Sequence, residues 1–168
     1  MNDTPDNETI ALLDTLEYQR ASVRAIVSGL AEELWHASVV PSGWTTAGIV
    51  EHLGGAERHW FQEVVAGLPL EALPWDSGRP DYDPLRALTC DRPSQDVLAY
   101  YRQQCDRSDE VLASTTMSTP PIGSHGPETD VPSVRWVVLH MIEETAAHSG
   151  HLEVARELLD GGRGLGLR

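Results

Sequence analysis

The sequence is poor in several things, and each shortage excludes a class of protein. It has two cysteines in 168 residues, too few for a disulfide scaffold and in keeping with a reducing compartment, so the expected location is cytoplasmic. No apolar run approaches the roughly 18 residues needed to cross a bilayer. The first ten residues, MNDTPDNETI, are polar and acidic and do not read as a signal peptide. Cationic residues are scarce: Lys and Arg together number 12 against 26 Asp and Glu, a formal net charge of −14. With no basic cluster, that charge repels phosphate backbones and anionic lipid, so neither nucleic acid nor membrane is an expected partner. Strand alternation and internal repeats are also missing.

What is present is helical periodicity. A chain of this length fits one domain, residues 1–168, and can bury a core without staples. The first amphipathic stretch runs from about Glu8 to Trp35, with Leu13, Leu16, Val23, Val27 and Leu30 at helical spacing. Pro41, Ser42 and Gly43 break it. A second runs from Thr45, a predicted N-cap, to Gly67, with Ile49, Leu53, Ala56, Trp60 and Val64 as its stripe. A proline-rich connection, Leu68 to Cys90, separates it from a third, Pro93 to Ala113, for which Asp91 is the predicted cap. Leu98, Tyr101, Cys105 and Leu112 share a face there. After a polar loop, Ser114 to Glu128, the fourth starts near Asp130 with Pro132 in its first turn, and stops at Asp160-Gly161-Gly162. Four helices of similar length predict an all-α, four-helix bundle, with the short first connection favouring an antiparallel pair.

The fourth helix carries the chemistry. Val134, Val137, Met141, Glu144, His148, His151 and Ala155 follow alternating steps of three and four, a bundle seam. Midway the seam turns from hydrophobic residues to Glu, His and His. Charge on such a face needs a partner or a metal. Glu144 and His148 are one turn apart and could grip one ion. Zinc wants at least three protein ligands, with a fourth position open at a catalytic site. His52, beside Leu53 and one turn past Ile49 and Gly48, is the candidate from a facing helix; Gly48 would let another backbone approach. A divalent ion on His52, Glu144 and His148 would acidify a bound water or thiol, or polarise a carbonyl. The plainer alternative is an ion pair between Glu144 and His148. His151 could replace Glu144 as third ligand, touch substrate, or orient a ligand. His59 falls two turns after His52 and is expected to point elsewhere, and His36, His125 and His140 read as solvated or structural. Cys105, on the apolar face, reads as a buried core thiol, and Cys90 as a loop thiol that a following helix N-terminus could acidify.

Two blocks resemble a known family. The run from Trp44 to Leu53 (WTTAGIVEHL) with Glu57 and Trp60, and the run from Arg135 to Glu144 (RWVVLHMIEE) continuing to His148, Ser149, Gly150, His151, Arg156 and Glu157, are similar to helix two and the last helix of the DinB/YfiT-like superfamily. They are nearest its DUF664 branch, which is associated with actinobacteria. The resemblance implies an antiparallel four-helix bundle with a three-ligand metal site. The family's helix-two His falls on His52 and its last-helix pair on Glu144 and His148. Many members have His where this chain has Glu144, but the mycothiol-dependent maleylpyruvate isomerases of the superfamily use a His, Glu, His set. The position of His151 is often Gln, which implies a catalytic or positioning role near the substrate for His151.

The implied activity is that of a metal-dependent S-transferase. It would use a low-molecular-weight thiol such as mycothiol on a small electrophile, with zinc, nickel, iron or manganese as the ion. Relatives that isomerise maleylpyruvate have a further C-terminal domain, so isomerisation is not expected. Metal-assisted hydrolysis with Glu143 or His151 as base, and a non-enzymatic metal or ligand binder, are the alternatives. Trp75, Tyr82 and the surrounding loop could cover the pocket, but an ordinary packed loop explains them equally well, and the resemblance implies a homodimer through exposed helix faces.

Overall fold

A computed structural model of the chain describes residues 6–69, 73, 87–126 and 130–166. Trp75 and Tyr82 lie outside the described residues. Five α-helices account for the regular structure there, and no strand occurs among the described residues. They are α1 (Asn7–Val27), the short α2 (Glu32–Trp35), α3 (Thr46–Glu57), α4 (Ser94–Ala113) and α5 (Val134–Asp160), with α3 continuing into a π-helical segment, Arg58–Val65. The expected all-α bundle is what forms. None of these helices is long and apolar enough to cross a membrane.

The ends follow local chemistry. Asp6 caps α1 by accepting from the Thr9 amide at 2.7 Å. Thr45 caps α3 as expected, accepting from the Gly48 amide at 3.1 Å. Gly161, at φ +76°, ends α5 in the left-handed region. Three expectations need correction. The first stretch is not continuous: the chain turns at Ser28 and Gly29 (φ +71°) and resumes as α2, so Leu30 is buried in the turn rather than on a helix. α5 begins at Val134 behind the cap Ser133, leaving Pro132 outside the helix. Asp91 does not cap α4; the Glu32 carboxylate of α2 does so from a distance, taking the Ser94 amide at 2.9 Å and the Ser94 hydroxyl.

Side-chain pairings fix the helix directions. Glu8 meets Arg135 and Ile26 meets Arg156, so α1 and α5 run parallel. Glu51 meets Arg92 and Glu57 meets Ser108, so α3 and α4 also run parallel. His52 against Glu144, and Trp60 against Trp136, set the second pair opposite to the first. The expected antiparallel start holds for α1 and α3. The parallel α3–α4 neighbours explain the long connection between them, since the chain must return along the bundle before α4 starts.

The interior has two apolar clusters. One gathers Val23, Ile26, Trp35, Ile49, Leu53, Val97, Tyr101 and Leu152; the other gathers Leu16, Phe61, Val64, Leu112, Val137 and Met141. Among the buried residues is a charged group. Arg20 of α1 holds both oxygens of Glu57 on α3 at 2.8 and 2.7 Å, and reaches Asp109 of α4 at 2.7 Å. A bidentate guanidinium–carboxylate pair ties three helices at one level. Gly48 carries the close approach anticipated for it: an added Cβ would lie 1.9 Å from the Leu88 carbonyl oxygen, whose other contact is the Thr45 amide at 3.0 Å.

Replacing Glu57 with Ala strands a buried guanidinium, so we expect a loss of about 3–5 kcal/mol in urea unfolding. The double variant Arg20→Met/Glu57→Leu should recover most of it. A loss below about 1 kcal/mol for Glu57→Ala would mean the pair is effectively solvated.

Candidate metal centre

The site forms where α3 and α5 cross in opposite directions. From α3, Thr45 starts the helix so that Ile49 and Leu53 face the core while His52, between them, sits at the rim. From α5, Met141 and Thr145 are buried, and Glu144 and His148 project one turn apart beside them. The three meet on one carboxylate oxygen. Glu144 Oε1 lies 2.8 Å from His52 Nε2 and 3.3 Å from His148 Nε2. The two imidazoles stand edge to face with centroids 5.1 Å apart. One donor atom from each residue falls within 4.8 Å of the others, and no other such group of three occurs among the described residues.

The residues present fit a divalent ion. Zinc ligands at about 2.0–2.2 Å in tetrahedral array stand about 3.3–3.5 Å from one another. The His148–Glu144 distance already matches, and the His52–Glu144 distance needs to open by about half an ångström. The side chains are 36, 28 and 16% exposed for His52, Glu144 and His148, so a ligand held there could be reached from solvent.

The site lies less deep than a straight seam suggests. The buried face of α5 runs through Met141, Thr145, Ser149, Leu152 and Ala155. A strict heptad pattern drifts from a straight helix by about 20° per heptad. Glu144, His148 and His151 are therefore carried to the edge of the buried stripe, where a ligand can reach them.

Electrostatics within the triad are lopsided. His148 and then His52 hydrogen-bond the Glu144 carboxylate, and together they hold its pKa well below the ordinary value near 4.5, against the opposing effect of burial. Glu144 is thus a carboxylate at any physiological pH and offers a charged oxygen.

The remaining candidates sort by distance from the triad. His151 is exposed; its Nδ1 lies 3.5 Å from His148 Nδ1, and its ring leans on Trp44 at 5.9 Å between centroids. It touches a triad residue without joining the converging set. Trp44, which residue patterns did not single out as part of the site, is marked by its place just before the α3 cap. Glu143 is exposed. His36 is structural, its ring linking the Cys90 carbonyl and Glu32. His59, His125 and His140 join a separate aromatic cluster, in which His59 and His140 are half-buried and His125 stays exposed.

Both thiols are buried. Burial drives Cys105 far up, with the charge of Glu57 adding to it. Cys90 is a plain thiol and not an acidified one: burial, reinforced by Glu51, which accepts its S–H at 3.2 Å, pushes it up to about 11. Proximity to the α4 N-terminus does not acidify it.

A family model described as "MST: Mycothiol-S-transferase" matches residues 11–161. No curated protein matches the chain.

In metal-free protein, the depressed pKa of Glu144 makes a signed prediction. A lowered carboxylate contributes stability that is present above its unfolded value and lost as pH falls through the folded one. Thermal stability should therefore decline on acidification from about pH 4.5 downward, and Glu144→Gln should lose less over that span. Equal acid sensitivity of the two proteins would show that the carboxylate is not held by the imidazoles.

Proposed function

The chain belongs to the mycothiol-S-transferase family, and on that premise we propose that it is a metal-dependent S-transferase. It joins a low-molecular-weight thiol, mycothiol by the family's description, to a small electrophile. The observation that carries the metal dependence is the convergence of His52 Nε2, Glu144 Oε1 and His148 Nε2 at a partly exposed point between two helices. These three residues would hold the ion, zinc being the best match to two imidazoles and a carboxylate with a position left for an outside ligand. When bound, the ion supplies the charge that keeps a thiol as thiolate at neutral pH.

The chain's residues divide the remaining work. A transferase of this kind needs an accessible thiolate, and neither Cys90 nor Cys105 offers one, since both are buried and held protonated. The nucleophilic sulfur therefore arrives with the cofactor. His148 turns Nε2 to the centre and Nδ1 towards His151, whose ring would help to orient it. His151, exposed and leaning on Trp44, would accept the proton that the incoming thiol gives up. A cofactor thiol that must stay reduced fits the cytoplasm. The apolar residues exposed on α1 and α5, Ile10, Leu139, Val154 and Leu158, are where a homodimer would form.

Two measurements on tag-free protein test this reading. Metal content should be near one ion per chain, lost in His148→Ala and kept in His151→Ala. Product formation from a panel of electrophiles should require added thiol, and His151→Ala should lower the rate about 10²-fold or more without loss of metal. Turnover that ignores added thiol would favour hydrolysis. Metal binding without turnover on any thiol and electrophile would leave a binding protein. Absence of metal after reloading with zinc, nickel or manganese would end the metalloenzyme reading.

A further inference from the structure

A second group of histidines lies away from the triad, where the α4–α5 connection crosses the π-helical segment. His59 Nδ1 sits 2.6 Å from Glu63 Oε2, and its Nε2 sits 2.7 Å from His125 Nδ1. The His125 ring stacks on Trp60 at 4.3 Å between centroids and 20° between planes. On the other side, His140 of α5 packs against Trp60 at 4.5 Å and stacks on Trp136 at 5.3 Å. The connection is anchored just before His125. Its Ile122 and Gly123 amides donate to the Val65 and Val64 carbonyls at 3.1 and 2.9 Å. A Cβ on Gly123 would come within 2.1 Å of the Glu63 carbonyl, so only glycine permits that approach.

The 2.7 Å separation decides what the histidine pair is. Two imidazole ligands of a tetrahedral ion stand about 3.3 Å apart, and a zinc site needs a third protein ligand. A nitrogen–nitrogen distance this short is a hydrogen bond, and a hydrogen bond between two ring nitrogens holds one proton. Glu63 accepts from His59 Nδ1 whether His59 is neutral or charged. The contact therefore survives a proton on His59, provided His125 presents a lone pair. It does not survive a further proton, because two N–H groups would then face each other.

We propose that His59 and His125 form an acid-sensitive latch, which pins residues 124–126 onto Trp60 while the two rings share one proton and releases them when both rings are charged. The charged and titratable groups facing His125 are His59 and Glu63 from the π-helical segment and His140 from α5. Burial beside Trp60 comes first among the effects that lower the pKa of His125, followed by the charges of His59 and His140, with Glu63 opposing them. A histidine whose folded pKa is lowered contributes stability above its unfolded value of about 6.5, and that contribution is lost as pH falls. Release is confined to the segment after Gly123, because the backbone anchor at Ile122 and Gly123 does not titrate.

Histidine- and tryptophan-resolved NMR on the full chain across pH 4.5–8 tests the latch. His125 should titrate below the ordinary value of about 6.5, and the Trp60 indole N–H resonance should move with the same midpoint. In His125→Phe, which keeps a ring over Trp60 but cannot take a proton, the movement of Trp60 with the His125 midpoint should be lost, leaving only what His59 and His140 beside the same ring contribute. A His125 midpoint at or above 6.5 would overturn the proposal. So would a Trp60 resonance that ignores the His125 titration, or one whose movement at the wild-type His125 midpoint persists unchanged in His125→Phe.

Discussion

Arg20 sets the geometry on which the rest depends. Its guanidinium, buried between α1, α3 and α4, can be tolerated only with Glu57 and Asp109 in hydrogen-bonding reach. The pairing fixes the register of α3 against α1, because a bidentate contact does not slide as an apolar one can. Glu57 lies five residues beyond His52 on the same helix. Holding Glu57 inward on one side holds His52 at the rim on the other, facing Glu144. The triad is therefore supported by a charge pair that never touches it.

The site works by sharing. One carboxylate oxygen serves two imidazoles, which keeps Glu144 ionised and turns the Nε2 atoms of His52 and His148 to a common point. A further imidazole, His151, meets the far side of His148 and is itself backed by Trp44. If an ion is held here, this layering of an orienting partner and a packing wall would keep His148 to one rotamer. The buried thiols of Cys90 and Cys105 add a constraint of a different kind: on the proposed function, the reacting sulfur would come from outside the chain.

Much of this was legible in the residues. Thr45 and Gly161 mark helix ends by local chemistry, and both hold. The Glu144–His148 step and the polar intrusion at His52 marked these residues as candidates, with an ion pair or a His151 ligand left open by spacing alone, and the fold brings the three together. Other features were hidden because their causes are long-range. Glu32 caps α4 across 62 residues, which no local pattern around Asp91 could reveal. The break at Gly29 falls within an apolar stripe that continues through Leu30, so periodicity overrode the glycine. The π-helical segment 58–65 carries no proline or glycine to announce it. His125 lies in a loop 66 residues from His59, and only the fold brings them together.

The central claim is that two imidazoles and one carboxylate hold an ion whose remaining position is filled by an external thiol. X-ray absorption at the metal edge, on zinc-loaded protein with and without mycothiol, addresses it most directly. The account predicts nitrogen and oxygen neighbours alone in the absence of thiol, with scattering from two imidazole rings. One sulfur neighbour at about 2.3 Å should appear when the thiol is added. Sulfur at the ion before thiol is added, or a nitrogen and oxygen shell that thiol leaves unchanged, would contradict it.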